Sequence, residues 1–344
     1  MFAKLGRLSV AIKADAPILR CLFGVTLSLV TATSLGYAIP HITAVFALMF
    51  LEVGKRPLGT KKEILVVLAI GVLGYFGVLV GNYLIDYPLV ILPILALVIF
   101  WSFRWVSVPL VVRLLFLMLT VLIPFISMKA AILGDVLLLA MLLNLIVALV
   151  MVRLSFFLFP WQESETTEYF KEEKKQASSL DLNLDKLAFN GMIVLFPLVF
   201  LFYLFNANIA ILTLVFVLIL GLDPFIYRSK KGTALLLANV IGGVAGILAY
   251  NVLVVAPSYL LYILLVLSIG FFFAINLFSG KKIAPVFKIG FNTFFVVMGT
   301  ISTSSNEAGN TLWERLLQIG LAILYVTMAF KMMNKLNNPQ ISHG

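Results

Sequence analysis

The chain has 344 residues, 62% of them apolar and only 12% charged, and its net charge is +10. Soluble domains carry about 25% charged residues, so this composition excludes a soluble globular fold and marks a polytopic membrane protein. The basic excess gathers at the ends of apolar runs, which is membrane topology rather than nucleic-acid binding, and the single cysteine, Cys21, leaves neither an internal disulfide nor a multi-cysteine metal site.

Residues 1–17 set Lys4, Arg7 and Lys13 among Phe2, Leu5, Leu8 and Ile12. That spacing predicts a short interfacial helix stopped near Pro17. A cleaved signal peptide is the competing reading, weakened because the apolar run after Arg20 is longer than a signal core and more spans follow. Runs of about 20 apolar residues can cross the hydrocarbon core as helices. Twelve candidates lie near 19–37, 40–54, 64–85, 88–103, 107–127, 133–158, 187–205, 208–227, 233–254, 257–278, 283–302 and 310–333. Several are short or tightly joined, so ten or eleven spans stay open. Residues 160–186 form the one long polar segment, with seven acids and four bases, and read as a charged cytoplasmic linker between residues 1–159 and 187–344.

Basic residues set the orientation. With the N-terminus inside, the cytoplasmic turns hold Lys55, Arg56, Lys61 and Lys62, then Arg104, then Arg228, Lys230 and Lys231, then Lys281 and Lys282. The exterior turns hold Asp86, Asp135 and Glu307, and of 25 Lys and Arg only Lys129 and Arg315 fall on or near that side. Both termini are therefore expected in the cytoplasm.

An internal repeat organises the chain. Residues 61–88 and 230–257 align without a gap, 169 residues apart. Lys61 and Lys62 fall on Lys230 and Lys231, Ala69 on Ala238, Gly74 on Gly243, Gly77 on Gly246, Asn82 on Asn251 and Pro88 on Pro257. In the preceding span Thr43-Ala-Val-Phe46-Ala-Leu48 matches Thr213-Leu-Val-Phe216-Val-Leu218, and each copy runs into an acid, Glu52 or Asp223. The expected fold is all-α and integral to the membrane, with about twelve transmembrane helices as two parallel six-helix repeats. An axis along the membrane normal would relate them.

Small residues four apart let helices approach closely. Gly77 and Gly81 do this in the third span, and Ala238, Gly242 and Gly246 in the ninth. Simple tight packing explains them; the functional reading has the two spans facing each other beside a pathway. Polar groups in hydrocarbon are costly, so Asn144, Asn190, Asn239, Asn276, Asn292 and Arg113 are site candidates, with interhelical bonding or snorkelling the plainer explanation. Asn82 and Asn251 stand near the far ends of the repeated spans. Glu52 and Asp223 either pair with Lys55, Arg56 or Arg228, or titrate as proton-coupling carboxylates. His41, beside Pro40, either responds to pH or hydrogen-bonds at the interface. No phosphate loop, zinc-protease motif or nucleophile elbow occurs, and two histidines, one of them His343 in the tail, do not make a metal site. Neither a metal nor any other cofactor is expected. Most of the 29 Phe read as lipid-facing or packing residues, though a pocket for an aromatic ligand can be drawn from them.

Arg228-Ser-Lys-Lys-Gly232-Thr233 followed by Gly242, Gly243 and Gly246 is similar to the basic turn, Gly-Thr and glycine-rich helix of the fusaric acid resistance and aromatic acid exporter group. Lys55-Arg56-Pro57-Leu-Gly59-Thr60 followed by Gly74 and Gly77 repeats that pattern in the first half. In its compact length the chain resembles the DUF2955 branch of bacterial inner-membrane proteins. Many members carry large soluble domains after each half, whereas this chain has only 160–186 and a short tail. The resemblance implies export of small organic, often aromatic, acids, in some cases with a periplasmic adaptor protein. A secondary transporter in the bacterial inner membrane is therefore expected. Lys55, Arg56, Arg228, Lys230 and Lys231 would attract the anion, and Glu52 and Asp223 would couple its export to protons. A non-transporting scaffold of an envelope complex is the alternative, and a membrane enzyme comes third.

Overall fold

The computed structural model describes residues 2–37, 39–52, 56–105, 110–161, 184–205, 211–222, 231–281, 283–303 and 308–337. All elements among them are helices. Lipid offers the backbone no hydrogen-bond partner, and a helix satisfies its own. In chain order they are α1 (Phe2–Ser34), α2 (Pro40–Phe50), α3 (Thr60–Tyr83), α4 (Pro88–Arg104), α5 (Leu110–Ser127), α6 (Ala131–Leu158), α7 (Leu184–Leu204), α8 (Ile211–Gly221), α9 (Lys231–Val255), α10 (Tyr259–Leu277), α11 (Ala284–Thr303) and α12 (Ala308–Asn337).

Local chemistry explains several boundaries. Pro40 and Pro88 open α2 and α4, where a missing N–H costs nothing. Gly36, past the end of α1, and Gly280, past α10, take φ values of 68° and 67°, a left-handed conformation that favours glycine. The expected stop at Pro17 does not occur, because α1 continues through it from Phe2. A proline inside a helix removes one backbone bond, which a helix can absorb as a kink.

Among the described residues, six helices are long and apolar enough to cross a membrane: those covering Ala16–Ser34, Thr60–Tyr83, Ala131–Leu158, Gly232–Val255, Tyr259–Leu277 and Leu316–Met333. Pro40–Phe50, Pro88–Arg104, Val112–Ser127, Ala188–Leu204 and Ala284–Gly299 are shorter apolar stretches. α2 and α8 have 11 residues each, roughly 16 Å at 1.5 Å per residue, about half the hydrocarbon thickness.

The chain divides into two compact units, Met1–Leu65 with Ala140–Leu180 and Leu237–Leu312, and Val66–Leu139 with Asp181–Leu236 and Trp313–Gly344. These units are not the two sequence halves. In the first, α1 packs on α2 and α10, α10 on α11, and α11 on α2, closing a ring of four. In the second, α7 packs on α8 and α4, α4 on α5, and α5 on α8. Each ring joins the two leading helices of one sequence half to the fourth and fifth helices of the other.

Apolar spacing builds both cores. On α1 Cys21, Val25, Leu29 and Ala32 form one buried stripe, and on α4 Ile91, Leu95, Val98 and Ile99 form another. The first unit is centred on buried phenylalanines: Phe273 stacks on Phe291 at 5.3 Å, and Phe291 lies 4.7 Å from Phe295. These rings fill one another's space, so this part of the phenylalanine content is packing. The opposite surfaces are apolar too. Leu68, Val72, Tyr75 and Leu79 on α3, and Leu237, Val240, Val244 and Leu248 on α9, are exposed at helical spacing. Stripes of that size on both units suit a lipid solvent.

Candidate functional site

The glycines of the repeated spans act first on packing. A Cβ on Gly77 would strike the Leu119 carbonyl oxygen and come within 3.2 Å of Ile123 Cβ, and one on Gly81 would lie 2.8 Å from the Ser127 side chain. α3 therefore seats against α5. Gly74 seats against Leu138 of α6. On α9 a Cβ at Gly242 would strike the Gly290 carbonyl oxygen, and one at Gly246 would come 2.8 Å from Val297, so α9 seats against α11. Gly243 is buried as well. Each glycine face is taken by helices of its own half, not by the other glycine-rich span.

A ladder of polar side chains runs through the first unit along α2 and α11. Glu52, just past the end of α2, accepts a hydrogen bond from Lys288 Nζ at 2.6 Å, both side chains 27% exposed. At the other end of α2, the His41 ring lies directly over Gly299 of α11, where no Cβ would fit. The two helices are therefore antiparallel, with the two contacts eleven residues apart on each, roughly 16 Å by helical rise. Between these ends, buried Thr293 donates to Asn239 Oδ1 of α9 at 2.9 Å. Buried Thr43 of α2 donates to Asn144 Oδ1 of α6, whose amide donates to the Ala140 carbonyl at 2.7 Å. Thr293 stands about 8 Å along α11 from Lys288. An ion pair and an imidazole thus close the two ends of the α2–α11 contact, while two hydroxyl–amide pairs tie α2 to α6 and α11 to α9.

The remaining predicted residues take other places. Arg113 is half-buried, and its Nη1 donates to the Ser102 carbonyl of α4 at 3.4 Å. Asn82 donates to Asp135 at 3.3 Å, while Asn251 is exposed. Arg56 stacks 4.5 Å above the Trp161 ring. Asn276 bonds the Phe272 carbonyl within its own helix. Lys231 opens α9. Lys55, Asp223, Arg228 and Lys230 lie outside the described residues, as does His343. No group of three or more His, Cys, Asp or Glu that could hold a metal ion occurs among the described residues.

Sequence reading missed Lys288, Thr43, Thr293 and Arg20. Buried Arg20 donates to the Phe159 carbonyl at 3.2 Å and lies 4.6 Å over the Phe156 ring. Lys288 had a signal, since it is a charge inside an apolar run. Thr43 stood out only as the start of a repeated stretch, and Thr293 had no signal, because Thr is common in membrane helices and its partner lies far off in sequence. Comparison with protein-family models, curated proteins and solved structures yields no match.

Proposed function

We propose that the chain is a twelve-span secondary transporter of the bacterial inner membrane, built as two six-helix repeats, that exports small aromatic acids against inward proton flow. The ladder from Glu52–Lys288 to His41 carries this reading. Buried polar groups inside apolar helices are costly, and in membranes they mark routes for ions, protons or substrates. Asn239 and Asn144 repeat one chemistry, an amide oxygen that accepts from a threonine of a neighbouring helix. The matching rings of four helices support the repeat, since the second is the first with every helix moved six places along the chain.

The mechanism follows from the ion pair. A substrate acid is an anion at neutral pH, and the basic turns draw it to the inner face. Lys288 is the cation that meets its carboxylate beside Glu52. Export against inward proton flow requires proton and anion to alternate: Glu52 gives up a proton to the inside as the anion loads, and takes one from the outside once the anion has left. Asp223 has the corresponding place in the second half. The test is efflux of a weak aromatic acid from proteoliposomes under an imposed proton gradient. The parent should exceed protein-free liposomes several-fold, and Glu52→Gln and Asp223→Asn should each lower the rate. No flux above protein-free liposomes would remove the transport reading and favour a scaffold.

A further inference from the structure

The junction where α3 ends, α5 ends and α6 begins holds a second polar group, all of it in the second unit. Ser127 is the last residue of α5 and is 95% buried, yet its hydroxyl has no hydrogen-bond partner among the described residues. That sets it apart from other helical hydroxyls of this chain. Ser28, Thr33, Ser102, Thr120, Ser155 and Ser268 each donate to the carbonyl four residues back. Ser127 turns instead toward two glycines on two other helices. A Cβ on Gly81 would lie 2.8 Å from its Oγ, and one on Gly134 closer still. Only the absence of both side chains makes room for the hydroxyl. The residues next to those glycines are Asn82 and Asp135. The Asn82 amide nitrogen donates to Asp135 Oδ2 at 3.3 Å, and its buried Oδ1 has no partner among the described residues.

Three side chains thus bring a hydroxyl, an amide oxygen and a carboxylate to one level of the fold. Oxygen-only sets of this kind suit hard cations. Two helix C-termini, those of α3 and α5, meet one N-terminus, that of α6, here, so the helix ends on balance favour positive charge. One carboxylate balances one positive charge, whereas calcium sites draw on several carboxylates. Lys129, exposed two residues beyond Ser127, is the nearby cation with which a bound ion would compete.

We propose that Asn82, Ser127 and Asp135 form a binding site for a monovalent hard cation, sodium in the first instance. The site is reached through exposed Asp135 and closed on its inner side by Gly81, Gly134 and the buried Ser127 hydroxyl. Among the described residues the second half differs at the glycine: the counterpart of Gly81 is Tyr250, and that of Asn82, Asn251, is exposed.

The test uses the purified full-length protein in detergent. Thermal unfolding is followed in sodium chloride against choline chloride at equal ionic strength, since an ion that binds only the folded state raises the midpoint saturably. The parent should show a saturable, sodium-specific rise of a few degrees. Ser127→Ala, which removes a single oxygen, should need several-fold more sodium for the same rise, and Asp135→Asn should lose it. Asn251→Ala, at the counterpart position, should respond like the parent. Binding of radioactive sodium should reach one ion per chain in the parent and vanish in Asp135→Asn. The proposal is overturned if the parent shows no sodium-specific rise, the hydroxyl then holding only water. It is equally overturned if Ser127→Ala and Asp135→Asn respond as the parent does.

Discussion

Thr43 and Thr293 do their work through one hydroxyl each. Interhelical hydrogen bonds in membrane proteins average about 0.6 kcal/mol and reach about 1.7. Both amide acceptors here are buried, at 0% and 1% exposure for Asn144 and Asn239. Thr43→Val and Thr293→Val should therefore each destabilise the protein by roughly 0.6–1.7 kcal/mol, read as a fall in midpoint in detergent. The double variant Thr43→Val with Asn144→Leu should cost less than the sum of its singles, because one bond is lost twice in the sum. The asparagines are legible in the sequence, since an amide inside an apolar run must find a partner. Their partners are not, because the pairs lie 101 and 54 residues apart, and Glu52 meets Lys288 across 236. Sequence reading looks for an ion pair nearby, at Lys55 or Arg56, and only packing brings α11 to the end of α2.

Helix by helix, the glycine spans were the clearest feature of the sequence, and their spacing correctly marks where backbones come close. What the spacing does not tell is which helix comes. α3 is met by α5 and α9 by α11, because Leu119, Ile123, Gly290 and Val297 stand opposite the missing side chains. Gly77→Ala and Gly242→Ala each place a methyl group against a carbonyl oxygen, a rigid obstacle, and should cost roughly 1–3 kcal/mol, the usual range for overpacking. Gly320→Ala in α12, with nothing within 4 Å of the added Cβ, should be neutral or slightly stabilising. Purified yield and thermal midpoint of the three variants measure the contrast. α1 marks the limit of boundary reading: Pro17 looks like a stop, but α1 runs through it.

For the whole molecule, composition and basic turns were enough to read a multi-pass helical protein, and the matched spans suggested two halves. The exchange of helices was not legible, since nothing local says that α1 and α2 close on α10 and α11 rather than on α4 and α5. It has a direct consequence. Neither half contains a complete ring, so fragments cut between 162 and 183 should be recovered together on co-expression, and each alone should be lost to degradation. Co-purification of the tagged first half with the untagged second half measures this; a stable lone half would contradict the exchanged rings. The central claim is the coupling of substrate to protons through Glu52, and it is tested most directly by a pH-sensitive dye trapped in proteoliposomes while an aromatic-acid gradient drives transport. The account predicts proton movement opposite to the acid in the parent, and acid movement with little proton movement in Glu52→Gln with Asp223→Asn. Unchanged proton counterflow in that double variant would contradict it.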